Sequence, residues 1–278
     1  MLKKIVLTGA AGRLGGICRM PLSEMCETLV STDQTEGVNG LAPNETYVKA
    51  DLGDLSQMVD LLEGAEMVVH FGALGDEGPW ETILHSNILG AYNIWEAAHR
   101  NGLRRVVYAS SIHAVGMHAK TGHITVDTPH RPDTYYGLAK CFAEDLGSLF
   151  WDKRGLESVH MRIASCSGAV GNARGLGTWL SDRDLIQLVQ RSVEAPTTGF
   201  TIVYGVSNND RSPFDNSGAA FLGFRPVDNA EREAEEILAR AAPMDPQNPE
   251  DMCVGGPFAV VPLGESGVAM IKARNVKS

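Results

Sequence analysis

The chain has 278 residues, 44% of them hydrophobic, which is enough for one sizeable core with a modest second lobe and too few for two large domains. Its 34 acidic residues against 24 basic ones leave a formal net charge of −10. That balance argues against nucleic acid and anionic membrane surfaces as partners, so any anionic substrate must be held by a local basic residue.

The first predicted element is a strand over 3–8, with no leader-like segment ahead of it. No apolar run of about 18 residues follows anywhere, so neither export nor membrane spanning is expected. Five cysteines (Cys18, Cys26, Cys141, Cys166, Cys253) lack CxxC spacing, which predicts neither a metal site nor a disulfide framework and fits a reducing cytoplasm. After the strand comes Thr8-Gly9-Ala10-Ala11-Gly12-Arg13-Leu14-Gly15, opening a helix over 13–25 that Pro21 should kink or shorten. Glycines at GxxGxxG spacing between a strand and a helix are the signature of a dinucleotide site. Gly9 permits the tight turn, Gly12 lets the backbone approach a pyrophosphate, and Gly15 allows close helix–strand packing.

A second strand over 28–32 runs into Asp33, whose carboxylate can accept hydrogen bonds from both ribose hydroxyls and repels a 2′-phosphate. Gln34, Thr35 and Glu36 follow without an arginine, so NAD is expected over NADP; Arg13 is the one residue that could soften this preference. Asp51-Leu52 is placed beside the adenine, with Asp51 as a helix N-cap the open alternative. Helices over 54–63, 81–101 and 134–153 alternate with strands over 66–70, 104–110 and 157–163. Such alternation predicts an α/β fold, a Rossmann-like doubly wound parallel sheet covered on both faces.

Tyr136-Gly137-Leu138-Ala139-Lys140 puts a phenol and an ammonium at i and i+4, on one helix face. A free tyrosine, with a pKa of about 10, is a poor base at neutral pH; a neighbouring Lys⁺ favours the phenolate. Ser111 ends the strand before, at the carboxyl edge where such sheets place ligands, and its hydroxyl can hold a substrate oxygen while Tyr136 takes the proton. His113, two residues on, taken alone reads as a packed or solvent-facing histidine, and its place just after Ser111 makes it a candidate substrate contact. Arg162, inside an apolar strand, reads as a structural ion-pair partner.

Beyond residue 165 the rhythm breaks. The stretch 165–178, rich in Gly, Ser and Asn, predicts a loop; a helix over 182–194, a strand over 200–204 and a helix over 229–241 follow. The expected division is a dinucleotide-binding domain over 1–165 and a small substrate-binding lobe with tail over 166–278, forming one compact unit. The last 37 residues hold five prolines and are expected to wrap over the surface or a neighbouring subunit. Arg174, in the Gly-rich loop, could grip a carboxylate bidentately, with a plain surface arginine as the alternative.

These residues resemble the extended short-chain dehydrogenases of the NAD-dependent epimerase/dehydratase family over roughly the first 165 positions. The match rests on GxxGxxG, Asp51-Leu52, Asn87 in Asn87-Ile88-Leu89-Gly90-Ala91-Tyr92-Asn93, Ser110-Ser111 and Tyr136-xxx-Lys140. The resemblance implies NAD as cofactor, with Asn87 among its binding residues. Tyr136 is then the acid/base, Lys140 its support and a ribose ligand, and Ser111 the substrate-orienting hydroxyl. A closer likeness, to the uronate dehydrogenases, runs almost to the end through Ala109-Ser110-Ser111-Ile112-His113, Arg162-Ile163-Ala164-Ser165-Cys166, Thr178-Trp179-Leu180-Ser181 and Phe221-Leu222-Gly223-Phe224-Arg225-Pro226.

That likeness implies oxidation at C1 of a hexuronate such as glucuronate or galacturonate to its aldarolactone, and a pocket built on Ser111, His113, Ser165 and Arg174. Two positions depart from it: Ile112 stands where an asparagine is typical, and Gly75 where a serine is. They leave open another C6-anionic sugar (sulfoquinovose or a sugar phosphate), or a redox-neutral epimerase or dehydratase. Homo-oligomers are expected by the same analogy.

Overall fold

The computed structural model describes residues 1–275, and positions 276–278 of the expected tail lie outside the described residues. Seven strands form one parallel sheet, in the order β3-β2-β1-β4-β5-β7-β8. They are β1 (Leu2–Thr8), β2 (Cys26–Asp33), β3 (Glu45–Lys49), β4 (Met67–His70), β5 (Arg105–Ser111), β7 (Glu157–Ile163) and β8 (Phe200–Gly205). A separate parallel pair joins β6 (Ile124–Thr125) to β9 (Phe214–Asp215). In chain order the helices are α1 (Arg13–Ser23), α2 (Leu55–Leu62), α3 (Trp80–Ile83), α4 (Gly90–Arg100), α5 (Tyr135–Arg154), α6 (Gly175–Thr178), α7 (Asp182–Glu194), α8 (Ala234–Ala239), α9 (Pro249–Met252) and α10 (Gly267–Asn275).

Alternate residues of each strand feed opposite cores, the period-two pattern of a sheet covered on both faces. Ile5, Leu7, Leu29, Met67, Val107 and Met161 pack on one side with α1 and α7 residues such as Leu22, Leu185 and Leu188. Val6, Val30, Val68 and Val106 pack on the other with Met58, Ile94, Trp95 and Phe150 from α2, α4 and α5. The order reverses between β1 and β4, and this switch point opens a crevice at the carboxyl ends of the strands.

All six expected strands and the helices between them are present within a few residues. The sheet continues past residue 165, because β8 pairs in register with β7. The break in rhythm there marks the start of a loop at the sheet's edge rather than the sheet's end. Pro21 sits inside α1, which stops at Ser23. The helix expected over 229–241 is shorter: a 3₁₀ turn (Ala230–Glu233) leading into α8. Arg162 forms the anticipated ion pair, 2.8 Å from Glu144, with both side chains buried in α5–β7 packing.

The described part of the tail wraps over this chain's own surface at the strand ends, one of the two placements expected for it. Val254 N donates to His118 O and Gly255 N to Gly116 O, at 2.9 and 2.8 Å. Farther on, Asp76 accepts from Ser266 Oγ and Gly267 N, and Glu77 accepts from Gly264 N at 2.7 Å. Two adjacent acids in the loop after β4 therefore fasten the tail across the crevice.

Candidate active site

The crevice holds two adjoining cavities that share Gly9, Gly12, Phe71 and Ala73. One, of roughly 460 Å³, is lined by Asp33, Gln34, Ala50, Leu52 and Leu74, among others. The other, of roughly 400 Å³, carries Arg13, Leu14, Gly15, Gly75, Ser111, Ile112, His113, Tyr136, Lys140, Ser165, Arg174 and Phe258. Through these shared residues the two cavities form one groove, with room for a dinucleotide in one part and a small substrate in the other.

The glycine loop fits a pyrophosphate. Gly9 has φ +72°, and a Cβ there would meet the backbone of Phe71 and Gly72 at 2.6 Å. A Cβ on Gly15 would fall 2.2 Å from Gly9 O, so only glycine lets α1 start this close to β1. The Asp33 carboxylate ends β2 on the wall of the first cavity and accepts from Ala11 N at 3.0 Å and Gln34 N at 2.7 Å. Arg13 turns away from Asp33: its guanidinium pairs with Asp182 at 2.6 Å and donates to Cys166 O at 3.0 Å. It lines the second cavity, and among the described residues no lysine, arginine or histidine lines the cavity that holds Asp33.

Leu52 lines the first cavity, whereas Asp51 does not. The Asp51 carboxylate meets His85 Nε2 at 3.1 Å and accepts from Gly53 N at 2.9 Å; this backbone bond is the main reason its pKa is lowered. The N-cap of α2 is Asp54, which accepts from Ser56 N and Gln57 N. Asn87 lies in a π-helical turn (Leu84–Leu89) and reaches neither cavity. Its amide accepts from Leu74 N at 2.8 Å and donates to Leu74 O at 3.0 Å, pinning the loop after β4 that forms the groove wall.

The second cavity is assembled by three chain reversals. Ser111 ends β5 and caps a 3₁₀ turn (Ile112–Val115) by accepting from His113 N at 3.2 Å. That turn sends Ile112 into an apolar cluster with Val115, Tyr204 and Val254 and leaves His113 on the cavity wall. Thr134 caps α5, its hydroxyl accepting from Gly137 N at 3.0 Å. A Cβ on Gly137 would sit 2.4 Å from His113 O, so the glycine inside Tyr-Gly-Leu-Ala-Lys lets α5 lie against the turn. The third reversal follows β7. A bridge from Ser165 to Trp179 folds the loop so that Arg174, just before α6, donates to Ser165 Oγ at 3.0 Å and to Val254 O of the tail at 3.1 Å.

Electrostatics separate the polar groups. Burial pushes the Tyr136 phenol up to about 12, opposed by a hydrogen bond with Ser111 and reinforced by Asp133 and Asp76. Burial also drives Lys140 down to about 7, with Glu144 pulling the other way. This corrects the expectation of a phenol already made acidic by Lys140. Desolvation outweighs the 5.2 Å approach of the ammonium to the Tyr136 ring, so each charge alone is costly and the two are best formed together. The lysine is nonetheless aimed, since Nζ donates to Ala109 O at 2.7 Å. Arg174 is brought down to about 10 by burial, opposed by the charge of the Asp133 carboxylate; its guanidinium donates to Ser165 Oγ and Val254 O, and its Nε is buried without a hydrogen-bond partner. A desolvated guanidinium on a cavity wall is a receptor for an anion.

Several site residues carried no signal in the sequence reading. Phe258 of the tail stacks on His113 at 4.2 Å, and Glu77 accepts from Tyr136 N at 2.8 Å. Asp133 is 2.7 Å from His113 Nδ1. Only Asp133 had a local cue, since Pro-Asp-Thr before a helix announces a cap; the structure gives the cap to Thr134 and frees Asp133 for the histidine. No helix is long and apolar enough to cross a membrane, and no cluster of metal-ligating side chains is found among the described residues.

The sequence matches the NAD dependent epimerase/dehydratase family over residues 5–192. A uronate dehydrogenase from Pseudomonas putida is 39% identical over 92% of this chain and 96% of its own length. The crystal structure of a glucuronic acid dehydrogenase from Chromohalobacter salexigens superposes with a TM-score of 0.91 at 39% identity, covering 94% of this chain and 98% of that one. A mutant uronate dehydrogenase from Agrobacterium tumefaciens, complexed with NAD, gives 0.89 at 38% identity over the same shares.

Proposed function

Because the chain belongs to the NAD dependent epimerase/dehydratase family, we propose that it is an NAD-dependent dehydrogenase that oxidises a hexuronate at C1 to the aldarolactone. The observation that carries the substrate is the desolvated Arg174 guanidinium, with its Nε left without a hydrogen-bond partner, on the wall of the cavity that also holds Tyr136. The uronate dehydrogenases cited above, similar over nearly the whole chain, support the same reading.

The substrate enters as the cyclic hemiacetal, with its carboxylate on Arg174 and Ser165 and its anomeric hydroxyl between Ser111 and Tyr136. Arg174 supplies the local positive charge that a protein of net charge −10 needs to hold an anion. NAD⁺, when bound, supplies the hydride acceptor and a positive ring beside the phenol. Tyr136 takes the hydroxyl proton as the C1–H bond breaks, and C1 is left as the lactone carbonyl. Ser111 holds the oxygen throughout, and Lys140 stabilises the phenolate form in which Tyr136 accepts that proton. Gly9, Gly12, Arg13, Leu14 and Gly15 cradle the pyrophosphate end and Asp33 the adenosine ribose, with Leu52 against the adenine. Asn87 and Asp51 act one step back, on the loops that shape the groove.

We also read the chain as a cytoplasmic homo-oligomer. Trp80, Leu84, Leu89 and Tyr92 on one helical segment, and Leu138, Phe142 and Leu149 on α5, are exposed large apolar side chains on adjoining elements. Size-exclusion chromatography with light scattering tests this, a monomer being the contrary result. The functional reading is tested by NADH formation with purified protein, NAD⁺ and glucuronate or galacturonate. A redox-neutral epimerase or dehydratase would transform a sugar with no net NADH.

A further inference from the structure

The buried carboxylate of Asp133 has no part in the roles assigned above. Its side chain is fully excluded from solvent. Oδ2 lies 2.7 Å from His113 Nδ1, and Oδ1 accepts from the Thr134 hydroxyl at 2.9 Å. The backbone is cleared around it: a Cβ on Gly116 or Gly255 would fall 2.0 or 1.9 Å from Oδ2, and one on Gly137 3.1 Å from Oδ1. Glycines from the turn after β5, from α5 and from the tail all give way to one carboxylate. The histidine ring is fixed on its other sides as well, stacked on Phe258 and edge-on to Tyr136 at 5.8 Å.

An ionised carboxylate only accepts, so the nitrogen facing it carries the proton, and in the neutral ring the opposite nitrogen is left as an acceptor. Nε2 makes no hydrogen bond to the described residues, and His113 lines the substrate cavity. We propose that Asp133 is a positioning residue: it locks the tautomer and rotation of His113 so that Nε2 accepts a hydrogen bond from a ring hydroxyl of the bound sugar acid. This rests on the uronate reading above. The same carboxylate faces the general base electrostatically. The charged and titratable groups around Tyr136 are Lys140 on its own helix, Tyr108 on β5, His113 after β5, Asp133 before α5, and Asp76 and Glu77 after β4, and both aspartates oppose ionisation of the phenol.

The test uses full-length Asp133→Ala and Asp133→Asn, steady-state NADH formation on glucuronate across pH, and ¹⁵N NMR of the histidine rings in the free protein. Alanine removes acceptor and charge. The expected result is a fall in kcat/KM of about 100-fold, the scale of a misplaced catalytic geometry, carried mainly by KM, with the Nδ1–H signature of His113 lost. Asparagine keeps an oxygen facing the ring, so the tautomer persists and kcat/KM stays within about tenfold of the wild type, above the loss from full misplacement. In both variants the ascending limb of kcat/KM shifts to lower pH, because a negative charge opposing the phenolate is gone; a role confined to packing would leave that limb in place. A wild-type His113 protonated at Nε2, or an unshifted limb in Asp133→Asn, overturns the proposal. If the alanine variant does not fold, the asparagine spectrum and limb decide. Wild-type inactivity on uronates would instead sink the functional reading, while the free-protein spectrum would still report the tautomer.

Discussion

The two ends of the groove are built in opposite ways. The cofactor end comes from contiguous sequence: a strand, a four-residue glycine-rich turn and a helix, with Asp33 at the tip of the neighbouring strand. Its geometry follows from backbone sterics at Gly9 and Gly15 and from strand order. The substrate end comes from Ser111 and His113 after β5, Ser165 and Arg174 after β7, Gly75 after β4 and Phe258 from the tail. No two of those segments are close in sequence, and the tail is held in place by backbone bonds to Gly116 and His118, by Arg174, and by Asp76 and Glu77. The first end is a local motif and tolerates change elsewhere in the chain; the second is a tertiary product and depends on every loop that forms it.

The largest effect on that contrast is expected at the reacting phenol, which lines the substrate end. Tyr136→Phe should lower kcat by about 10³-fold, within the range for loss of a general base, while NAD binding by calorimetry stays intact; near-normal turnover would remove Tyr136 from the mechanism. Arg174→Met attacks the substrate end alone. Loss of a buried, charge-assisted partner is worth about 2–5 kcal/mol, so kcat/KM for glucuronate should fall at least about 30-fold while NAD affinity holds. Equal losses of both would mean that the arginine supports the fold and not the carboxylate.

Smaller effects refine the picture. Asp33→Asn should weaken NAD by about tenfold, as expected for hydrogen bonds to a charged group, and narrow the gap to NADP, read as the ratio of their kcat/KM values. Since Arg13 is tied to Asp182, it should not supply a 2′-phosphate site even then. Gly75→Ser is the mildest change: no heavy atom lies within 4 Å of a Cβ there. The added hydroxyl should leave stability unchanged and improve KM for a uronate by no more than about tenfold, one neutral hydrogen bond.

Stability has its own pH test. Burial pushes the Glu144 carboxyl up, but hydrogen bonds from His130 and Arg162 outweigh it and hold the group down to about 2 against an ordinary 4.5. A lowered carboxylate pKa contributes stability above the unfolded value and loses it as pH falls through the folded one. Thermal unfolding should therefore move to lower temperature as pH drops from 4.5 toward 2, and Glu144→Gln should flatten that decline while destabilising the fold at neutral pH by stranding Arg162.

What the sequence made legible follows the same division. GxxGxxG, Asp33, Ser111 and Tyr136-xxx-Lys140 were readable because local backbone geometry or helical spacing fixes their relation. The Arg162 pair was readable because a charge in an apolar strand needs a partner. Hidden were the short β3, whose exposed face weakens the pattern, and β6 and β9, with two residues each. The closing of the site by Val254 and Phe258 was hidden too, because nothing in a proline-rich tail says which surface it returns to. Asn87 and Asp51 were legible as positions, yet their side chains turn to Leu74 and His85 rather than into the cavities. A motif residue can act by holding the loop that makes the contact.

The most direct test of the account is initial-rate NADH formation from NAD⁺ with glucuronate, galacturonate, sulfoquinovose, glucose 6-phosphate and glucose under one set of conditions. The account predicts turnover on the uronates and little on glucose, which has no anion for Arg174. Equal turnover of glucose and glucuronate, or activity confined to a phosphorylated or sulfonated sugar, would contradict it.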